Sequence, residues 1–160
     1  MSKKNTGTPT TQWLIKNEIE FTEHIYKYEA KGGANDAAKK LNLDPHSTIK
    51  TLVMEDENKT PLIILMHGDQ AVSTKNLARQ TNAKLIQPCD PATAQRHSGY
   101  LVGGTSPFGL RKSMPIWIEA SILEIEKIYI NGGRRGLLLA ISPQVLIKYL
   151  NAVPVNVALR

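Results

Sequence analysis

The sequence predicts a single α/β (α+β) domain, in which helices surround a mixed, largely antiparallel sheet. The chain has 160 residues, enough for one domain with a substantial core. Hydrophobic residues make up 41% and charged residues 21%, near the averages for globular proteins. Strand-like and helix-like segments do not alternate in the regular order of a doubly wound fold, which excludes a Rossmann-type dinucleotide site.

Hydrophobic spacing and turn residues predict each element in chain order. Helices are expected at residues 11–17 and 35–41, after the N-cap Ser73, from Pro91 and after Pro143. Strands are expected at residues 22–26, 49–55, 62–67, 100–102, 116–118, 127–130, 137–141 and 155–159. Residues 56–60, with the sequence DENKT, separate two β-rich runs and predict a hairpin loop.

The polar start of the chain, residues 1–11, is expected to be a flexible segment at the beginning of the domain. It carries basic residues but no following apolar run, so it does not resemble a signal peptide. The longest apolar stretches, residues 61–66 and 137–141, are too short to span a bilayer, and no membrane association is expected. One cysteine excludes an intramolecular disulfide and is typical of a reducing cytoplasm.

The common catalytic and metal-binding motifs are missing from the sequence. It contains no HExxH, no paired-cysteine zinc spacing, no P-loop and no GxSxG elbow, so neither a metal nor a cofactor is expected. His24, His46, His67 and His97 are far apart in sequence. Cys89 lies in a proline-bracketed turn, where an incidental thiol is a simpler interpretation than a nucleophile.

Lys50 lies inside an apolar strand. Lys50 and its neighbours at intervals of two share one face, and both faces of this strand are mainly apolar, which predicts a central strand. An unpaired ammonium is costly to bury, so Lys50 either extends to the sheet edge or enters a polar pocket. In a pocket it would be a fixed cation for an anionic or carbonyl group.

Residues 99–109, with the sequence GYLVGGTSPFG, hold four of the eleven glycines. Gly103 and Gly104 allow close backbone approach, and the Ser106–Pro107 pair forces a change of direction. Free amides in such a loop can bind a carbonyl or phosphate oxygen. A purely structural turn explains the same residues equally well.

The segment YINGGRRGLLLAI, residues 129–141, predicts a β-hairpin because Asn131–Gly132 lies between two β-rich runs. Arg134 and Arg135 follow at its tip, where guanidinium groups can bind phosphate or carboxylate, although exposed arginines are commonly just solvated. The net charge of +6 favours an anionic partner.

Three of these motifs together resemble the YbaK/EbsC family of bacterial Cys-tRNA(Pro) deacylases, which belong to the prolyl-tRNA synthetase editing-domain superfamily. The motifs are IKTL at residues 49–52, GYLVGGTSPFG at residues 99–109 and GGRRGL at residues 132–137. The similarity runs from about residue 13 to residue 157. It implies a single editing domain over residues 1–160, which hydrolyses the ester between a wrong amino acid and tRNA in the cytoplasm, without a cofactor.

The resemblance also implies the site residues. Lys50 matches the family's catalytic lysine, which orients the aminoacyl-tRNA terminus and is not a nucleophile. The loop Gly103, Gly104, Thr105, Ser106 and Pro107 matches the pocket wall near the scissile carbonyl. The further substrate-binding positions implied are Tyr26, Thr51, Asn131, Gly132, Gly133, Arg134, Arg135 and Gly136. The partners implied are an aminoacyl-tRNA, above all tRNA(Pro), and prolyl-tRNA synthetase.

Several alternatives stay open at this point. Leu138 and Ala140 stand where relatives often carry polar or acidic residues, and Asn131 stands where serine is common. Because those positions lie near the family's pocket, alanine or another small amino acid is an alternative to cysteine. With cysteine, the substrate thiol can attack its own ester and leave as a thiolactone, which is lyase-like chemistry. A different class of function is a non-catalytic module that binds tRNA ends or a synthetase.

Overall fold

A computed structural model describes residues 7–159 of the chain. Within these residues there are five helices: α1 (Pro9–Lys16), α2 (Gly33–Leu41), α3 (Thr74–Gln80), α4 (Pro91–Ser98) and α5 (Gln144–Leu150). The strands are β1 (Thr22–Ile25), β2 (Thr48–Asp56), β3 (Pro61–His67), β4 (Ala71–Val72), β5 (Ile86–Pro88), β6 (Ile116–Glu119), β7 (Ile128–Asn131), β8 (Leu137–Ile141), β9 (Val153–Val155) and β10 (Ala158–Leu159). In the same part of the chain no helix has the length and apolar character needed to cross a bilayer.

The main sheet is mixed, as the sequence predicts. Its strand order is β1-β8-β7-β2-β3-β6-β9, with β5 paired to the far end of β2, while β4 and β10 form a separate pair. Pairing is antiparallel for β1–β8, β7–β8, β2–β3 and β2–β5, and parallel for β2–β7, β3–β6 and β6–β9. Because β2 has a neighbour on each side, the prediction that Lys50 lies in a central strand is confirmed.

The two faces of the sheet bury separate apolar clusters. Successive β3 side chains point to opposite faces, so Ile63 and Leu65 enter the larger cluster and Ile64 and Met66 the smaller one. The larger cluster packs under α1, α4 and α5, and the smaller one packs under α3. Each cluster is closed by helices, which leaves the region under α2 to form a pocket.

Local signals form most elements where the sequence predicts them. Ser73 Oγ accepts a hydrogen bond from Asn76 N and caps α3, and Asp90 Oδ1 accepts one from Thr93 N and caps α4. Residues 56–60 form the predicted hairpin turn, in which Asp56 Oδ1 accepts from the amides of Asn58 and Thr60.

Two predicted strands are wrong. Residues 100–102 form a turn, because Gly99 ends α4 in a left-handed conformation and the buried Tyr100 side chain fixes the chain there. Residues 155–159 do not form one strand: β9 pairs with β6 and β10 pairs with β4. The chain changes sheets between them, at Asn156 and Val157.

The predicted flexible segment, residues 1–11, extends too far. Thr8 and Thr11 form a reciprocal capping box at the start of α1, and Pro9 occupies a first-turn position. Thr8, Thr10 and Thr11 are buried. Residues 1–6 lie outside the described residues.

Candidate active site

A pocket of about 330 Å³ lies between β2, the end of β8 and helix α2. The strand contributes residues 48–52, the segment before α2 contributes Tyr26 and Tyr28, and the glycine-rich loop contributes Val102, Gly103 and Thr105. This volume is at the low end of the range of about 300–1,000 Å³ for small-molecule sites. The pocket therefore suits a compact ligand.

Lys50 lines this pocket and its side chain is fixed. Its Nζ donates a hydrogen bond to the carbonyl oxygen of Gln70 at 2.5 Å. Burial lowers the pKa of Lys50, and the nearby Asp69 carboxylate acts in the opposite direction. One of the three ammonium hydrogens is used by Gln70, so two remain for a ligand.

Tyr26 and Thr51, two of the implied substrate-binding residues, also line the pocket. Burial raises the pKa of Tyr26, so its hydroxyl is protonated at neutral pH and can donate a hydrogen bond. Thr51 Oγ1 is buried and has no hydrogen-bond partner among residues 7–159. Tyr26 is thus the better placed of the two to bind a polar ligand.

The glycine-rich loop contributes backbone more than side chains. Gly104 N donates to Leu101 O at 2.8 Å, whereas within the described residues the amides of Gly103 and Thr105 have no acceptor. Gly103 and Thr105 both line the pocket. Two unused amides at the wall of a pocket are suitable donors to a carbonyl oxygen that gains negative charge.

The tip of the β7–β8 hairpin supports this loop. Asn131 Nδ2 donates to Gly103 O at 2.8 Å, and Arg135 Nε donates to Val102 O at 2.9 Å. A Cβ on Gly104 would lie 3.0 Å from the backbone of Arg134. The two sequence motifs therefore form one unit in space.

Helix α1 holds the same unit from another side. Thr8 Oγ1 donates to Gly132 O at 2.6 Å. Tyr100 donates its hydroxyl hydrogen to Phe108 O, and its oxygen lies 2.8 Å from Thr10 Oγ1. These supporting residues were missed in the sequence because threonine hydroxyls near a chain start carry no functional signal.

The structure places only some of the implied residues at the pocket itself. Tyr26, Lys50, Thr51, Gly103, Thr105 and Asn131 line it. The others lie behind or beside the wall: Gly104, Ser106, Pro107, Gly132, Gly133, Arg134, Arg135 and Gly136. Ser106 is buried and accepts a hydrogen bond from Phe108 N, so it stabilises the loop from inside. Leu138 lines the pocket as implied, but Ala140 lies in a separate open groove beside β1.

Several lining residues were not singled out in the sequence, and three of them make charged or aromatic contacts. Tyr28 lies next to Arg135, whose guanidinium carbon is 5.0 Å from the ring centroid. Glu29 and Asp36 also line the pocket, and each pairs with Lys40 at 2.9 Å. The alternation of Tyr26 and Tyr28 along an extended segment is the signal that could have found Tyr28.

His46, His67 and Asp69 form a cluster beside the pocket, although they are spread over 24 positions in sequence. Their nearest ligand atoms lie within 4.8 Å of one another, the distance range of a metal site. Both ring nitrogens of His67 are already hydrogen-bonded, Nδ1 to His46 O and Nε2 to Ser121 Oγ. A metal ion would have to displace one of these bonds, so the cluster is better described as a hydrogen-bonded network.

Cys89 lies outside the pocket, against the larger apolar cluster. Burial raises the pKa of its thiol to about 11, so the thiol is protonated at neutral pH. The hydrogen-bond donors at the pocket wall include a fixed ammonium, unused amides and a tyrosine hydroxyl. Such a set can orient and polarise an ester carbonyl.

The sequence matches the aminoacyl-tRNA editing domain family over residues 29–149. That match covers most of the chain and includes Lys50, the glycine-rich loop and the β7–β8 hairpin. The protein belongs to this family of aminoacyl-tRNA editing domains.

Among its relatives is an Enterococcus faecalis protein, EbsC, whose name proposes a Cys-tRNA(Pro)/Cys-tRNA(Cys) deacylase; it is 23% identical over 154 residues, 94% of either chain. The proline–tRNA ligase of Brachyspira hyodysenteriae is 25% identical over 100 residues, 62% of this chain and 17% of the ligase. A crystal structure described as a proposed trans-editing enzyme for prolyl-tRNA synthetase has a TM-score of 0.82, 17% identity, and coverage of 99% of this chain and 100% of that one. This last likeness confirms the fold.

Proposed function

We propose that this protein is a trans-editing deacylase that removes a wrong amino acid from tRNA, with Cys-tRNA(Pro) as its main substrate. The observation that carries the proposal is the fixed ammonium of Lys50 in a small pocket whose wall offers the free amides of Gly103 and Thr105. The family match and the relative named as a Cys-tRNA deacylase support the substrate class. The activity belongs in the cytoplasm, where charged tRNA is used.

Some residues of the pocket bind the aminoacyl ester, and others stabilise the charge that develops in the reaction. Lys50 orients the aminoacyl ester, and the amides of Gly103 and Thr105 stabilise the negative charge that develops on its carbonyl oxygen. Tyr26 donates a hydrogen bond to the same end of the substrate. Positioning and preorganised donors account for large rate effects without a protein nucleophile.

With cysteine as the amino acid, the substrate supplies its own nucleophile. The thiol sulfur forms a bond to the ester carbonyl carbon, and the bond between that carbon and the ribose oxygen breaks. The thiol proton ends on the ribose oxygen, which frees the tRNA and releases a cyclic thiolactone. For alanine or another small amino acid, water takes the place of the thiol and the product is the free amino acid.

Apolar side chains limit the size of the amino acid. Ala34, Ala37, Leu52 and Leu138 line the pocket together with the polar groups. A hydrophobic pocket discriminates by size with modest energies, so it rejects a larger side chain but separates cysteine from alanine poorly. Substrate-assisted attack supplies the preference for cysteine.

The test is a deacylation assay with Cys-tRNA(Pro), Ala-tRNA(Pro) and Pro-tRNA(Pro), with wild type and Lys50→Ala compared. We expect Cys-tRNA(Pro) to lose its amino acid fastest, Pro-tRNA(Pro) to be spared, and Lys50→Ala to lose most of the activity. Chromatography of the released product separates thiolactone from free cysteine. If wild type hydrolyses none of the mischarged tRNAs above buffer, the proposal is wrong, and salt-sensitive tRNA binding without ester loss would indicate a binding module.

The similarity to proline–tRNA ligase supports prolyl-tRNA synthetase as the enzyme whose errors this protein corrects. The basic net charge of +6 favours contact with the tRNA itself. A higher deacylation rate in the presence of prolyl-tRNA synthetase would support this partnership, and an unchanged rate would contradict it.

A further inference from the structure

The position of the Lys50 ammonium depends on a single backbone carbonyl. Lys50 faces Met66 across the β2–β3 pair, and its side chain reaches beyond the end of β3 to the carbonyl of Gln70. A free lysine side chain has many rotamers, and a ligand that needs the ammonium in one place must order it. The Gln70 carbonyl removes much of that cost before the ligand arrives.

The Gln70 carbonyl is carried by a tight turn at residues 67–70. Gln70 N donates to His67 O at 3.2 Å, and Gly68 N donates to Pro45 O at 3.1 Å. A Cβ on Gly68 would lie 2.6 Å from Thr48 O and 2.8 Å from Pro45 O, so the turn is pressed against that backbone. The location of the turn thus fixes the location of the ammonium.

His67 holds the first residue of this turn. Its side chain is completely buried, and it is the one polar side chain in β3. Because a carbonyl has no hydrogen, Nδ1 donates to His46 O, at 2.6 Å, and Nε2 lies 2.7 Å from Ser121 Oγ. The ring also stacks on His46, with centroids 3.7 Å apart and an interplanar angle of 7°.

Ser121, which contacts Nε2 of His67, is itself held in place. Ser121 Oγ lies 2.9 Å from Glu119 Oε2, while Glu119 Oε1 accepts from the amides of Val157 and Ala158. A buried polar side chain costs stability unless its partners are all in place. Here each polar group has a neighbour within hydrogen-bond distance, and the single hydroxyl hydrogen of Ser121 serves either His67 Nε2 or Glu119 Oε2. The result is a frame that extends from β10 to the turn.

We propose that His67 is a positioning residue for the reaction: it fixes the turn whose Gln70 carbonyl holds the Lys50 ammonium in the pocket. This inference rests on the proposed deacylase function for its kinetic consequence, but its structural part does not. His67 does not line the pocket, so it acts through Lys50.

Three substitutions at or beside His67 separate its roles. His67→Phe keeps an aromatic ring that can stack on His46 and loses both hydrogen bonds. His67→Asn places its side-chain amide where Nδ1 lies and keeps the donor to His46 O. Gly68→Ala moves the turn through the backbone and leaves His67 in place. The matched control is Ile86→Val, which removes a methyl group from the smaller apolar cluster, away from the turn.

The kinetic test measures kcat and KM for Cys-tRNA(Pro). We expect His67→Phe and Gly68→Ala to lower kcat roughly 10-fold with little change in KM, since misplacement of a catalytic group affects the transition state more than tRNA binding. His67→Asn should retain most of the activity, and Ile86→Val all of it. Equal kcat for His67→Phe and wild type, or no rescue by asparagine, would overturn the proposal.

An NMR measurement tests the same idea without substrate. The ammonium signal of Lys50 is recorded in protein labelled with ¹⁵N-lysine and is assigned with the Lys50→Arg variant. A hydrogen-bonded, half-buried ammonium exchanges slowly, so we expect the signal in wild type, Ile86→Val and His67→Asn, and its loss or displacement in Gly68→Ala. His67→Phe should lose or displace the signal as well. If the signal is unchanged in His67→Phe, the proposal is wrong even where the deacylase assay is positive.

These two readouts separate the two hypotheses. If wild type does not deacylate, the proposed function fails, and the NMR comparison alone decides whether the turn holds Lys50. If His67→Phe does not fold, His67→Leu, which also loses both hydrogen bonds and is smaller, replaces it in both measurements with the same expected results.

Discussion

Two sets of basic side chains lie in or beside the pocket, and they differ in how far they are buried. Lys50 is half-buried and anchored on a main-chain carbonyl, with its pKa lowered by burial. Arg134 and Arg135 are exposed at the hairpin tip, and Arg135 Nε donates a hydrogen bond to Val102 O. We propose that the half-buried cation serves the reacting ester, while the exposed cations at the hairpin tip serve the long anionic tRNA.

The largest effect on activity is expected when the fixed cation is removed. We expect Lys50→Met to lower kcat/KM by about 100-fold, because loss of one preorganised donor commonly costs that much. Stability should be unchanged or higher, since a half-buried charge is removed. Thermal unfolding and deacylation kinetics check both, with the exposed Lys75→Met as the control; equal losses in the two variants would contradict the assignment.

A smaller loss is expected when the glycine-rich loop and the hairpin tip are forced apart. The Cβ of Gly104→Ala would meet the Arg134 backbone at 3.0 Å, and backbone cannot move away cheaply. Overpacking of this kind costs about 1–3 kcal/mol, and we expect kcat/KM to fall about 10-fold as the Gly103 and Thr105 amides move. Urea unfolding and kinetics measure the two effects. Full activity in Gly104→Ala would show that the loop amides do not act on the ester.

The rim arginines should give a weaker and different effect. Arg134→Ala combined with Arg135→Ala should raise KM several-fold, leave kcat nearly unchanged and reduce the slope of log K against log salt concentration by up to about 2. Titration of uncharged tRNA at several salt concentrations measures the slope. A fall in kcat with the salt slope intact would instead show that these arginines act through the loop, which Arg135 contacts at Val102 O. Lys16→Ala with Lys112→Ala is the matched double control.

The smallest expected effect is the dependence of stability on pH that comes from His67. Burial lowers the pKa of His67 below its ordinary value of 6.5. Below pH 6.5 the unfolded chain therefore binds more protons than the folded one, so the contribution of this group to stability is present above that pH and is lost as the pH falls. His24 and His97 shift in the same direction, mainly through burial.

Thermal unfolding between pH 7.5 and 5.5 checks this sign. We expect the midpoint to fall as the pH is lowered, and the fall to be shallower in His67→Asn, which cannot titrate in this range. His97→Asn should change the slope less, because His97 is not fully buried. Identical slopes for wild type and His67→Asn would contradict the lowered pKa.

Local sequence signals account for much of the fold. The cap at Ser73, the helix start at Pro91, the DENKT turn and the Asn131–Gly132 hairpin act over a few residues, and each forms as predicted. The prediction of a strand at residues 100–102 is wrong because local composition does not decide whether a segment finds a strand to pair with. Leu101 and Val102 favour a strand by composition, but about half of each side chain is exposed and no neighbouring strand pairs with them.

The candidate site is predicted less evenly. The three motifs and Lys50 were recognisable because side-chain identity carries the signal. The partner of Lys50 was not, because Gln70 contributes a backbone carbonyl that any residue possesses. The supports at Thr8 and Ser121 were invisible for the same reason, since hydroxyl groups of this kind occur throughout the chain.

The amino-acid sequence alone is enough to predict most helices and strands, a lysine in a central strand, and the glycine-rich and arginine motifs. Those features depend on composition and on neighbours a few residues apart. Three hydrogen bonds can be seen only in the folded chain. Asn131 bonds to Gly103, and Thr8 bonds to Gly132, which is 124 positions away. The ammonium of Lys50 bonds to a turn after β3. Hydrogen bonds between distant groups depend on how the whole chain packs, and no local pattern encodes them.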